Sequence, residues 1–139
     1  MKIVIDTNVI LSGLQSDMGY SYRLLSILPD SRFQVCISVP LVLEYEAQLK
    51  KHLSKKIFAD EDIDDFINYF CAIAERVKIY YLWRPHLADP FDDHILELAI
   101  TSNCKYIVTY NLKDFKQIAE YGITAITPQQ FLSILAERR

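Results

Sequence analysis

Five short apolar runs of strand length, with helical spacing in the stretches between them, constrain this chain more than any other feature. Lys2–Ile5, Phe33–Val39, Val77–Leu82, Lys105–Thr109 and Ile123–Thr127 read as strands rich in β-branched residues. Helical patterns fall over Tyr20–Leu28, from Pro40 to about Leu53, from Asp60 through Val77, from Pro90 to Ser102, over Asp114–Tyr121, and after Thr127. Pro40 suits the first position of its helix, and Asp60 can cap the next. Thr127-Pro128-Gln129-Gln130 reads as a capping box, and Gly122 as a stop. Strands that are apolar throughout rather than alternating belong to a parallel sheet covered on both faces. The expected fold class is therefore α/β, with a central parallel five-stranded sheet between two helical layers.

The 139 residues suit one domain, and no repeat, low-complexity tract or Pro/Gly linker divides them. With 51% hydrophobic residues the chain can build a packed interior. No apolar stretch approaches the roughly 18 residues needed to span a membrane. Asp6-Thr7-Asn8 cuts short the apolar run after Met1, so an export signal is not expected and a cytoplasmic protein is. Cys36, Cys71 and Cys104 are odd in number and lack CxxC or zinc-finger spacing, which fits reduced, mostly buried thiols. Only 3 glycines exclude the GxGxxG and Walker A phosphate loops. A net charge of −3 argues against binding nucleic acid through bulk positive charge.

In an open parallel sheet ligands bind beyond the carboxyl ends of the strands, near the switch in strand order. Asp6 follows the first strand there, Glu44 lies early in the helix after the second, and Asp89, Asp92 and Asp93 open the helix before the fourth. Asn111 and Asp114 follow the fourth strand. Carboxylates gathered in one cleft repel unless a cation neutralises them, and oxygen donors without nearby Cys or His favour Mg²⁺ or Mn²⁺. Each acid also has a plainer use: Asp89 before Pro90 is a natural N-cap, Asp92 would be N3, and Asp114 could cap a short helix. Asp93 lies about 100° further round the helix than Asp92, in line with Leu96 and Ile100, which aims it toward the sheet. The run Lys50, Lys51, His52, Lys55 and Lys56 reads first as a solvated helix end and second as an RNA-backbone contact, carried by Lys50, Lys51, Lys55 and Lys56. His52, His86 and His94 lack ligand spacing, and Tyr80, Tyr81 and Trp83 fit core or dimer packing better than base stacking.

With these residues in place the whole chain resembles the PIN-domain family, and within it the toxin components of prokaryotic toxin–antitoxin systems. The resemblance is carried by Lys2-Ile3-Val4-Ile5-Asp6-Thr7-Asn8-Val9, Pro40-Leu41-Val42-Leu43-Glu44-Tyr45, Asp89-Pro90-Phe91-Asp92-Asp93 with Leu96-Glu97-Leu98-Ala99, Tyr106–Phe115, and Ile126–Leu132. It implies a three-layer α/β/α fold and a metal-dependent ribonuclease that leaves 5′-phosphate and 3′-hydroxyl ends. It also implies Mg²⁺ or Mn²⁺ held by Asp6, Glu44, Asp93 and Asp114, with Asp92 beside them and Asn8, Thr109 and Asn111 in support. Many relatives carry Asp where Asn111 stands, which leaves Asp114 as the fourth carboxylate. Setting the four acids aside turns the charge of the remainder to +1, compatible with an RNA substrate. The implied partners are RNA, a small antitoxin protein and a second copy of the chain, with no membrane.

Other readings compete with this one. A haloacid-dehalogenase-type phosphatase would need Asp where Asn8 stands, and a receiver domain would need an acceptor Asp where Leu82-Trp83-Arg84 stands. A catalytically weak PIN-like RNA-binding or interaction module is the alternative, since Asn111 could mark a weakened site. A structure-specific DNA nuclease comes third.

Overall fold

The computed structural model describes residues 1–79, 93–116 and 118–138. Its centre is a five-stranded, all-parallel sheet in the order β3-β2-β1-β4-β5, with helices packed against it. Strand β1 is Lys2–Ile5, followed by helices α1 (Thr7–Gln15) and α2 (Tyr20–Ser26). Next come β2 (Gln34–Ile37), α3 (Val39–His52), α4 (Asp60–Ile73) and β3 (Glu75–Arg76). After them stand α5 (Asp93–Thr101), β4 (Tyr106–Val108), two 3-10 turns at Leu112–Phe115 and Ile118–Tyr121, β5 (Thr124–Ile126) and α6 (Pro128–Glu137). The expected three-layer α/β/α class with a central parallel five-stranded sheet is what the chain adopts. Strands β1 and β4 are neighbours, so the switch in strand order lies between them.

The sheet forms the floor of one core: Ile3, Val4, Ile5, Cys36, Ile107 and Val108 are all buried beneath helices that contribute Ile10, Leu41, Tyr45, Leu96 and Phe131. Phe33 and Tyr106 both meet the Phe131 ring edge-on, at centroid distances of 5.0 and 6.2 Å, which seats α6 on the sheet. The capping box expected at α6 forms: Thr127 Oγ1 accepts from the Gln130 N–H at 3.2 Å, and Gln130 Oε1 accepts from the Thr127 N–H at 2.9 Å. Gly122, at φ +74°, ends the second 3-10 turn. All three cysteines are free; Cys36 and Cys104 are buried and Cys71 is half-buried.

Several sequence expectations are corrected. Residues 7–15 form a helix that the pattern did not reveal, because Thr7, Val9 and Ile10 are β-branched and Gly13 disfavours helix. Gly13 has a packing reason: a Cβ there would stand 2.5 Å from Leu25 Cδ1 and 3.2 Å from the Ser21 carbonyl carbon, so α2 crosses close over α1. The third strand is Glu75–Arg76, ahead of the expected start at Val77; residues 77–79 do not continue it, and residues 80–82 of the expected Val77–Leu82 lie outside the described residues. Its partner β2 ends at Ile37 because Ser38 caps α3. Asp60 is the first helical residue of α4, not its cap; Ala59 precedes it, and Asp62 Oδ2 accepts the Ala59 N–H at 2.8 Å. Helix α3 begins at Val39, which puts Pro40 second. The stretch 114–121 makes two 3-10 turns instead of one short α-helix. The helix start at Pro90, the cap at Asp89 and the N3 role of Asp92 lie outside the described residues, as do Tyr80, Tyr81, Trp83 and His86.

Candidate active site

Parallel pairing brings the first pair of site residues together. Ile5 lies opposite Val108, and the ladder continues one step further with the Asp6 N–H donating to the Val108 carbonyl at 2.9 Å. Asp6 and Thr109 therefore leave the carboxyl ends of neighbouring strands side by side, and the Thr109 hydroxyl donates to Asp6 Oδ2 at 2.7 Å. The same hydroxyl accepts the Asn111 N–H at 3.0 Å. Asp6 also caps α1, with Oδ1 accepting the Thr7 N–H at 2.8 Å, in the positive field of a helix start. Asn8, early in α1, bridges outward. Its Nδ2 lies 3.4 Å from Asp6 Oδ2, while its Oδ1 accepts the Tyr110 N–H at 3.3 Å.

Glu44 arrives from α3. Tyr45 next to it is fully buried, and its hydroxyl donates to the carbonyl of Ile5, the residue before Asp6. That bond fixes α3 against the end of β1. The Glu44 carboxylate then accepts the Thr7 hydroxyl through Oε2, while Oε1 lies 3.7 Å from His94 Nε2 on α5. Thr7 thus joins the two acids: its N–H serves Asp6 and its hydroxyl serves Glu44.

The two carboxyls sit in different fields. Burial pushes the Asp6 carboxyl above the usual aspartate range, and the Glu44 charge adds to that, against the Thr109 and Thr7 hydrogen bonds that favour the anion. Burial also opposes ionisation of Glu44. There the hydrogen bonds from His94 and Thr7 and the His94 charge prevail, leaving Glu44 below its ordinary value. Burial raises the Tyr45 hydroxyl well above its usual range, with help from both carboxylates, so it stays a donor. Among the described residues no lysine or arginine forms a salt bridge with Asp6 or Glu44.

The other expected site residues that are described lie at the head of α5 and at the first 3-10 turn after β4. Asp93 is half-buried at the head of α5, one residue before His94. Asn111 is exposed and joins the network through its backbone amide. Asp114 is half-buried in the first 3-10 turn, its N–H donating to the Asn111 carbonyl at 3.1 Å; the hydrogen bonds around Asp6 do not reach its carboxyl among the described residues. Asp92 lies outside the described residues. No three His, Cys, Asp or Glu side chains group as a metal cage among the described residues. The gathered donors are nevertheless oxygens from a carboxylate pair without a thiol, which in type fits a hard divalent cation. In the basic run, Lys50 is 2.9 Å from both Glu46 and Asp64, and Lys55 pairs with Asp60. Lys51 and Lys56 are exposed.

Sequence reasoning missed Thr7 as the link between the acids, although it lies inside the Asp6-Thr7-Asn8 motif. It noted of His94 only that it lacks ligand spacing. Neither the Thr7–Glu44 contact nor the His94–Glu44 contact has a spacing signal, since each joins distant segments.

The fold is an α/β sandwich on a parallel sheet, with the buried Asp6 and half-buried Glu44 carboxylates at its strand-order switch. The family model for the PIN domain matches residues 2–113, and the chain belongs to that family. No curated protein matches it in sequence. Among solved structures it is similar to VapBC2 from Rickettsia felis, bound to a DNA fragment from the promoter, at 19% identity and TM-score 0.63, covering 91% of this chain and 98% of that one. VapBC-1 from nontypeable Haemophilus influenzae is similar at 16% identity and TM-score 0.63, covering 93% and 99%. The PIN domain endonuclease Utp24 is similar at 22% identity and TM-score 0.52, covering 89% and 82%. These likenesses concern the fold. Among the described residues no helix is long and apolar enough to cross a membrane.

Proposed function

We propose that this chain is a divalent-metal-dependent endoribonuclease, one PIN-like domain across residues 1–139, acting as the toxin of a toxin–antitoxin pair in the cytoplasm. The observation that carries the reading is Asp6. It is a buried carboxylate at the mouth of two central strands, fixed by Thr7 and Thr109 and coupled through Thr7 to Glu44, with no lysine or arginine neutralising either acid among the described residues. Membership of the PIN family and the likeness to Utp24 support a nuclease. The likeness to the VapBC structures supports an antitoxin partner, and a homodimer goes with the same proposal.

Asp6, Glu44, Asp93 and Asp114 would hold Mg²⁺ or Mn²⁺, with Asp92 beside them; when bound, the ion supplies an activated water and offsets charge on the phosphodiester. The protein's own part is orientation. Thr109 and the Thr7 amide hold Asp6 in one rotamer, and the Thr7 hydroxyl with His94 keeps Glu44 ionised and aimed beside it. Asn8 and the Asn111 amide in turn fix Thr109.

The test is cleavage of a single-stranded RNA and of the DNA of the same sequence, in Mn²⁺, Mg²⁺ or EDTA. RNA cleavage that needs metal is expected, lost in Asp6→Asn and in Glu44→Gln. Asp6→Asn should remain folded without metal, because it removes a buried charge. Full activity of Asp6→Asn at saturating metal would overturn the reading. RNA binding without cleavage would favour the non-catalytic module, and preferential DNA cleavage a DNA nuclease.

A further inference from the structure

Tyr110 directly follows Thr109, so its backbone stands one residue from the hydroxyl that holds Asp6. It is 46% exposed although both its backbone amide and its hydroxyl have partners. Its amide N–H donates to Asn8 Oδ1 at 3.3 Å, and Asn8 Nδ2 lies 3.4 Å from Asp6 Oδ2. Its hydroxyl is 2.5 Å from the hydroxyl of Ser21, a buried residue on α2. The ring is therefore held between the site network and a neighbouring helix while nearly half of the residue faces solvent.

We propose that Tyr110 is a stacking platform for an unpaired nucleobase next to the scissile phosphodiester, which makes the substrate single-stranded at that nucleotide. This rests on the nuclease reading of Asp6 and Glu44. A phosphodiester placed at those carboxylates carries its neighbouring base past the end of β4, where Tyr110 stands. Stacking on an aromatic face is tolerant of base identity but needs a base free of its own stack. Fixing the ring beforehand lowers the ordering cost on binding.

The experiment measures fluorescence anisotropy of a labelled, mixed-sequence single-stranded RNA and of an abasic ribose-phosphate oligonucleotide of equal length. The full-length Asp6→Asn chain, which binds without cutting, is compared with the same chain carrying Tyr110→Ala, Tyr110→Phe or Tyr110→Trp. Tyr110→Ala should weaken binding of the base-containing RNA about 5- to 150-fold, the range that base–aromatic stacking gives on truncation. The abasic probe should bind all four proteins equally. Tyr110→Trp and Tyr110→Phe should retain most of the affinity, since both keep a ring. In the otherwise wild-type chain, Tyr110→Ala should raise KM with kcat little changed. Equal loss for both probes, no loss for either, or no binding by the parent would overturn the proposal. A base-dependent loss in a protein that never cleaves RNA would uphold the platform and reject the nuclease reading alone.

Discussion

Replacing Thr109 with Val tests the site at its hinge. The side chain is fully buried, and valine has nearly the same shape, so the change removes a hydroxyl without opening a cavity. That hydroxyl donates to Asp6 Oδ2 at 2.7 Å and accepts the Asn111 N–H at 3.0 Å. Asp6 keeps the Thr7 amide and the 3.4 Å contact from Asn8 Nδ2 but loses the short donor on Oδ2, and a buried acceptor short of a partner costs about 1–3 kcal/mol. Asn111 is exposed, so water can replace its former partner at little cost. For a chain of this size the loss corresponds to roughly 3–10 °C in Tm.

The sign with pH follows from Asp6. Burial holds its folded-state pKa above the ordinary value of 3.8, and the Thr109 bond pulls the other way. A carboxyl raised by folding contributes stability that is fully present below the unfolded pKa and is lost as pH rises through the folded one. Losing Thr109 raises it further, so the deficit of Thr109→Val should be widest near neutral pH and narrow as pH falls toward 3.8. The acid limb of the metal-dependent cleavage rate should move to higher pH, because the carboxylate forms later. Thr109→Ser is the control: it loses a methyl group, about 0.8 kcal/mol, but keeps the hydroxyl and the position of the limb. Thermal melts across pH and pH–rate profiles of the three proteins give both readouts. A Thr109→Val deficit that is the same at every pH, together with an unmoved acid limb, would refute the argument.

Gly13→Ala should destabilise, by about 1 kcal/mol in urea denaturation, because crowding against Leu25 and the Ser21 backbone exceeds alanine's helical advantage of about 1 kcal/mol; a gain in stability would mean that α2 yields freely. Lys51→Gln with Lys56→Gln should flatten the salt dependence of RNA binding by about 0.7 in log–log slope for each phosphate no longer neutralised. Lys50→Gln should leave the slope alone, since Lys50 is already paired with Glu46 and Asp64.

The parallel sheet was legible because its strands carry apolar runs that do not alternate, as a sheet covered on both faces needs. What escaped depends on contacts between segments. Helix α1 looks poor by local preference and forms because Asp6 caps it and its Val9, Ile10 and Gly13 face is buried. The apolar run from residue 77 pointed to the third strand, but the residues that pair are Glu75 and Arg76 just ahead of it, because the hydroxyl of Ser38 accepting the Leu41 N–H turns β2 into α3 directly after Ile37. The 3-10 turns after β4 are too short for a period to distinguish them from an α-helix.

The same division runs through the site. Asp6 was legible because it directly follows an apolar strand, whereas Asn8 and Thr109 entered only through the family resemblance. Glu44 was legible by motif, yet its placement comes from its neighbour. Tyr45 is buried and donates to the Ile5 carbonyl, so one residue on each segment is pinned and the adjacent residue on each, Glu44 and Asp6, is left at the edge of the core. Any large apolar residue at position 45 would fill the volume, but only a hydroxyl at the ring's far end ties α3 to the strand end that carries Asp6. The distance between the two acids is therefore set by a core hydrogen bond as well as by the acids themselves. Thr7, sitting between them, can then serve both carboxylates from one residue. No periodicity in the sequence encodes that bond from Tyr45, because the two residues it joins lie 40 positions apart.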